Sequence, residues 1–132
     1  MGETPAAIPP VVAIVVTHNP GDWFGETLDS LAAQTYPNLS VLVVDADSAE
    51  DPEPLVLEHL PEAHVHHLGT NPGFGAAVNA SVELVEGAAF YVLCHDDVAL
   101  EPDTMRALVE DCLLYTSDAA DDMQCVDLGG RR

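Results

Sequence analysis

Between residues 11 and 111 the chain alternates short, unbroken apolar runs with longer segments whose apolar residues recur every three or four positions. Val11–Thr17 (VVAIVVT) is a continuous β-branched run, the pattern of a strand covered on both faces. Leu39–Asp45 (LSVLVVD) and Ala89–Cys94 (AFYVLC) repeat it, and His64–Leu68 is a shorter strand between them. The intervening segments follow helical spacing. Pro20-Gly21 ends the first strand, and Asp22 is the expected N-cap of a helix reaching about Gln34, with Phe24, Leu28 and Leu31 on one face. Glu50–Leu60 is a weaker helix interrupted early by Pro52 and Pro54. Gly73–Glu86 lines up Phe74, Val78, Val82 and Val85, and Pro102–Asp111 opens a further helix with proline at a favoured early position. Strands alternating with helices predict an α/β class: a Rossmann-like, mostly parallel sheet with flanking helices and right-handed crossovers. Ligands in such sheets sit at the carboxyl ends of the strands.

Two segments fall outside this pattern. Residues 1–10 are a Pro-rich lead to the domain of residues 11–111. In residues 112–132 (CLLYTSDAADDMQCVDLGGRR) the helical periodicity stops, and small, acidic and apolar residues follow without a period. CLLYTSDAADD resembles the translation of the end of a transposase-based sequencing-library adapter, and CVDLGGRR resembles the same adapter's outer part. The tail is therefore expected to be non-native and dispensable, as a fusion scar is.

Composition narrows the function. The 132 residues carry a net charge of −20, with three Lys+Arg against 23 Asp+Glu, and 48% are hydrophobic. That apolar content argues against disorder. The chain has no lysine, and its arginines are Arg106, Arg131 and Arg132. Nucleic-acid binding needs clustered cations to neutralise phosphates, so a nucleic-acid partner is excluded, and an anionic membrane surface is disfavoured for the same reason. The longest apolar run, Val11–Val16, is far short of the roughly 20 residues of a membrane helix. The N-terminus also lacks the basic start of a signal peptide. The expected location is cytoplasmic, and three cysteines make no disulfide framework. Without the tail, Cys94 is the remaining cysteine, and 19 acidic residues face one arginine, a net charge of −18. A phosphate ligand must then be neutralised by a metal ion or by helix N-termini.

The polar chemistry gathers at strand ends: Thr17-His18-Asn19 after the first strand, Asp45-Ala46-Asp47-Ser48 after the second, His95-Asp96-Asp97 after the fourth. Each cluster alone would suit a turn or cap; three at one sheet edge point to a site. Adjacent carboxylates repel unless a cation lies beside them, so Asp96 and Asp97 are candidate ligands of Mg²⁺ or Mn²⁺, which complete their shells from substrate phosphates. His95 fits a hydrogen-bond donor or turn residue better than a ligand. Asn71-Pro-Gly-Phe-Gly-Ala-Ala-Val-Asn79 sets Gly73 and Gly75 at a helix N-terminus, where free N–H groups suit an anion, although the GxG spacing is a weak dinucleotide fingerprint. His59, His64, His66 and His67 form no helical ligand pair and read as a solvated surface.

Taken in order, VVAIVVTHN, SLAAQTYPNLSVLVVDADS, NPGFGAAVN and FYVLCHDDVALEPD resemble the start of a family 2 glycosyltransferase with the GT-A fold, over residues 11–103. The resemblance implies that residues 11–111 are a truncated GT-A nucleotide-sugar-binding domain. It implies a nucleotide-sugar donor, a divalent metal, inversion at the anomeric carbon, and a saccharide or lipid-linked acceptor. It implies that Thr17, His18, Asn19, Asp45 and Asp47 line the base and ribose. Asn71 and Gly73 would serve the nucleotide, Asp96 the ribose or metal, and Asp97 the metal at the diphosphate. Two departures stand out: Ala46 and His95 occupy positions where many relatives are acidic, so a uridine donor is not implied and the metal motif is HDD. The family's general base lies further along, so no catalytic residue is expected here and the fragment alone is expected to be inactive. A longer protein of this kind would fit the inner face of a membrane. A receiver-type signalling domain is disfavoured by the missing lysine, and a nucleotidyltransferase by the missing basic loop after the first strand.

Overall fold

In the computed structural model, residues 9–85, 87–116 and 124–128 are described. Five strands form one sheet: β1 (Val11–Thr17), β2 (Leu39–Ala46), β3 (His64–Leu68), β4 (Phe90–His95) and β5 (Gln124–Leu128). All pairings are parallel, in the order β3-β2-β1-β4-β5. The helices are α1 (Phe24–Ala32), α2 (Glu53–His59), α3 (Phe74–Val82) and α4 (Thr104–Thr116). The α/β class and the parallel sheet expected from the apolar runs are what the chain adopts.

Strand parity assigns the layers, because successive side chains point to opposite faces. Val11, Ala13 and Val15 of β1, Val41 and Val43 of β2, and Phe90, Val92 and Cys94 of β4 share one core. Phe24, Leu28 and Leu31 of α1, Val56 of α2, and Met105 and Val109 of α4 cover it. Val12, Ile14, Leu42, Val44 and Tyr91 face the other way, against Ala77 of α3. Each fully buried side chain of Val, Leu or Phe size contributes about 1.5–3 kcal/mol of transfer free energy. Both cores are continuous through β1 and β2, which explains why those strands read as unbroken apolar runs.

Several boundaries differ from the sequence reading. Trp23, not Asp22, is the N-cap of α1, and no side chain caps it. Proline organises α2 rather than breaking it: Pro52 is its N-cap residue and Pro54 lies in the first turn, where the missing N–H costs nothing. Helix α3 begins one residue after Gly73, whose φ of 100° sits in the region that glycine alone enters readily. Pro102 precedes α4, and its carbonyl accepts the Thr35 amide at 2.9 Å.

The tail departs from expectation too. Helix α4 runs through Thr116, five residues past Asp111, and Gln124–Leu128 pairs with β4. Neither observation needs a selected sequence. A helix already nucleated extends cheaply through residues lacking Gly and Pro, and the free edge of β4 is a template for any strand-forming segment.

Candidate functional site

The chain runs β1, β2, β3 toward one edge and then crosses to β4 on the other side of β1. This reversal makes the β1–β4 boundary the topological switch point, where ligands bind in open α/β sheets. A cavity of about 240 Å³ opens there, lined by His18, Asn19, Gly21, Trp23, Asp96 and Asp97. A larger hollow of about 410 Å³ adjoins it through Asn19, with Pro20, Ala49, Glu50, Asp51, Pro52 and Leu55 around it.

A row of polar side chains crosses the sheet at this pole. Thr17, Asp45 and His67 are register partners on β1, β2 and β3, all on the α1/α2/α4 side. Thr17 is 1% exposed and donates from Oγ1 to Asp96 Oδ2 at 2.8 Å. The Thr27 hydroxyl in α1 lies 3.1 Å from both the Asp96 and the Trp23 carbonyls, so its single proton is shared between the Asp96 backbone and its own helix. Asp97 is buried at 4% exposure. His95 falls on the opposite parity and stacks on Phe74 of α3, with centroids 4.2 Å apart and planes 13° from parallel. It is the last residue of β4 rather than a turn residue.

The loops after β1 and β2 are tied together. His18 Nδ1 donates to the Ala46 carbonyl at 2.7 Å, which leaves Nε2 to accept from Asn19 Nδ2 at 3.1 Å. The Asn19 amide donates to Ser48 Oγ at 2.8 Å, and the Ala49 amide donates to Asn19 Oδ1 at 2.7 Å. Asn19 and Asp47 both take positive φ (48° and 64°), which Asn and Asp tolerate better than other side chains.

Asp45 is 5% exposed. Its Oδ1 accepts the Ser48 amide at 3.0 Å, and its Oδ2 meets His67 Nδ1 at 2.9 Å. Burial pushes its carboxyl up, but the Ser48 hydroxyl, His67 and the Ser48 amide outweigh this and hold it below the ordinary value. The Asp45 and Glu53 hydrogen bonds push His67 up against a smaller opposing effect of burial.

His18, Asn19, Asp96 and Asp97 thus line one cavity; Thr17 and Asp45 lie buried beneath it, Thr17 bonded to Asp96 and Asp45 paired with Thr17 in the sheet row. Asp47, Asn71 and Gly73 line neither hollow among the described residues. Asn71 Oδ1 accepts the Gly73 amide at 3.3 Å, an Asx-type turn that shapes the entry to α3. His67 lies at the surface, as read, but the reading missed its partners: both ring nitrogens meet carboxylates. The signal was available, since His67 lies near the end of β3 as Asp45 lies near the end of β2. Thr27 and Trp23 were also missed, because helical apolar spacing hides a residue that faces a loop.

Hard carboxylate oxygens side by side at a cavity suit a divalent ion of the Mg²⁺ or Mn²⁺ type. No Lys or Arg lines this cavity; Arg106, the one basic residue among those described, bonds Thr35 at 3.2 Å. Asp45, Asp51 and His67 also bring ligand atoms within 4.8 Å of one another. One hydrogen bond joins two of the three, His67 to Asp45, while Asp51 Oδ1 stands 3.7 Å from His67 Nε2.

Residues 12–120 match the glycosyl transferase family 2, and the chain belongs to that family. Its fold is of the GT-A type. It is 31% identical over 127 residues to the succinoglycan biosynthesis protein ExoO of Rhizobium meliloti, covering 94% of this chain and 36% of that protein. TarS 1-349 of S. aureus in complex with UDP-GlcNAc superposes with a TM-score of 0.72 at 27% identity, over 83% of this chain and 32% of that one. The mannosyltransferase PcManGT of Pyrobaculum calidifontis, in complex with GDP-Man and Mn²⁺, gives 0.64 at 25%, over 85% and 33%. The chain therefore spans about a third of the length of these relatives. No helix among the described residues is long and apolar enough to cross a membrane.

Proposed function

We propose that this chain binds a nucleoside-diphosphate sugar through a divalent cation and supplies the leaving-group half of an inverting glycosyl transfer. The observation that carries the reading is the pair Asp96–Asp97 at the switch-point cavity, in a domain whose first 105 residues hold no Lys or Arg. Asp97, with Asp96, would hold Mg²⁺ or Mn²⁺; Thr17, His18, Asn19, Asp45 and Asp47 would meet base and ribose, and the Asn71–Gly73 turn would shape the loop beside them. When bound, the metal would neutralise the departing diphosphate. Thr17 and Thr27 orient Asp96, while the His18–Ala46 and Asn19–Ser48 bonds preform the nucleotide wall. The two complexes above hold UDP-GlcNAc and GDP-Man, which makes a hexosyl donor of that kind the proposed choice. The acceptor is a saccharide or a lipid-linked saccharide, in keeping with the name of the relative from polysaccharide biosynthesis. None of the residues gathered at the cavity is assigned as the base that activates it, and the proposal gives these residues donor binding rather than complete transfer.

Calorimetric titration of UDP and GDP with Mn²⁺, then with EDTA, tests the reading. Binding should require metal and should fall at least about tenfold in Asp97→Asn, the loss of one charged ligand. Equal affinity in EDTA, or an unchanged Asp97→Asn, would overturn it.

A further inference from the structure

We propose that His67 is a positioning residue of the nucleotide site, an imidazolium that fixes the Asp45 carboxylate for the donor. This rests on the nucleotide reading above and adds to it a residue and a pH dependence.

Geometry carries the inference. The His67 ring lies between carboxylates from two other elements and the loop joining them. On one side Nδ1 meets Asp45 Oδ2 of β2 at 2.9 Å. On the other, Nε2 meets Glu53 Oε1 in the first turn of α2 at 3.1 Å, with Asp51 Oδ1 of the preceding segment at 3.7 Å. A neutral imidazole has one N–H and one lone pair, so one of these contacts would set lone pair against lone pair; the doubly protonated ring donates to both. The groups facing it are all acidic. No permanent cation competes for the role, since residues 1–105 contain neither Lys nor Arg.

The consequence follows from the anchoring of Asp45. Ser48 holds Oδ1 and His67 holds Oδ2, so the carboxylate has one orientation at the end of β2. Its backbone neighbour in the sheet is Thr17, the residue that orients Asp96. If the ring loses its proton, one of its two carboxylate contacts loses its donor and the repulsion among Asp45, Asp51 and Glu53 is uncompensated. The direction in pH is fixed by the shift: carboxylates raise His67 above its ordinary 6.5, so the imidazolium is complete below that value. It is lost as pH rises through the raised value, and nucleotide affinity should fall with it.

The test uses the full 132-residue chain, with Mg²⁺ and UDP or GDP as probes, from about pH 6 to about pH 9, the range that brackets an elevated histidine. Wild-type affinity should decline by about tenfold across the range, as for loss of a charge-assisted hydrogen bond. His67→Gln should bind about tenfold more weakly at low pH with a flat profile, and His67→Lys should keep its affinity at high pH. Parallel NMR titration of the His67 ring should give an elevated value that falls in Asp45→Asn and in Glu53→Gln, each first checked for folding by circular dichroism. An ordinary His67 value in a chain that still binds nucleotide overturns this proposal and spares the nucleotide reading. An elevated value in a chain that binds no nucleotide at any pH overturns the nucleotide reading, and with it any role in donor binding. Mn²⁺ broadening of the His67 ring that persists in Asp97→Asn would put a metal where the proton is assigned, and would also overturn it. If His67→Gln fails to fold, the wild-type NMR titration decides.

Discussion

Replacing Thr17 by Val removes one hydroxyl while keeping the β-branched shape that β1 requires. The lost interaction is the 2.8 Å bond from Oγ1 to Asp96 Oδ2, made by a donor that is 1% exposed. A hydrogen bond to a charged group contributes about 1.5–3 kcal/mol, and Asp96 is only half-buried, so water recovers part of the loss. We expect about 1–1.5 kcal/mol of destabilisation on that basis. At roughly 2.1 cal/mol/K of unfolding entropy per residue over about 110 ordered residues, each kcal/mol moves Tm by about 4 °C. The melt should therefore drop by about 4–6 °C. Metal-dependent nucleotide affinity should fall as well, by about three- to tenfold, because Asp96 loses the contact that selects its orientation. Thr17→Ser retains the hydroxyl and should keep most of both. The assays are thermal melting by circular dichroism and calorimetric titration with Mn²⁺. A Val variant that melts and binds as wild type refutes the reasoning, and so does a Ser variant as impaired as Val.

Two further outcomes are expected. Gly73→Ala should lower stability by about 1–3 kcal/mol from backbone strain alone, because φ is 100° and an added Cβ would meet nothing within 4 Å. Gly75→Ala, inside α3 with equally open surroundings, should instead stabilise by about 0.5–1 kcal/mol; thermal melts of the two variants should move in opposite directions. Deleting residues 112–132 should shift Tm by less than about 4 °C, the equivalent of 1 kcal/mol, with a larger loss showing that the tail supports the sheet.

The strands were legible because both faces of β1 and β2 are covered, so nearly every residue in them is apolar. Strand-end polarity pointed to residues that the fold gathers at one pole: His18, Asn19, Asp96 and Asp97 line one cavity, and Thr17 bonds Asp96 from beneath it. Legibility failed where a contact depends on register between strands distant in sequence. His67 is separated from Asp45 by 22 residues, and only their pairing across β2 and β3 brings the ring to the carboxylate. Thr27 was invisible for a related reason, since its partner is the backbone of Asp96, 69 residues away. The cap of α1 was misplaced because Asp22 satisfies local preference, while packing of Phe24 against the core sets where the helix starts.

The parallel stack of Phe74 on His95 gives this site an internal spectroscopic reporter. Protons of a ring stacked on a near-parallel aromatic ring, here with centroids 4.2 Å apart, resonate upfield through its circulating π electrons. His95 precedes Asp96 directly, and Phe74 opens the helix that follows the Asn71–Gly73 turn. Any ligand that draws that turn toward or away from the acidic pair must change the spacing of the two rings. The His95 ring signals would then register loop movement on the α3 side of the sheet without an added label.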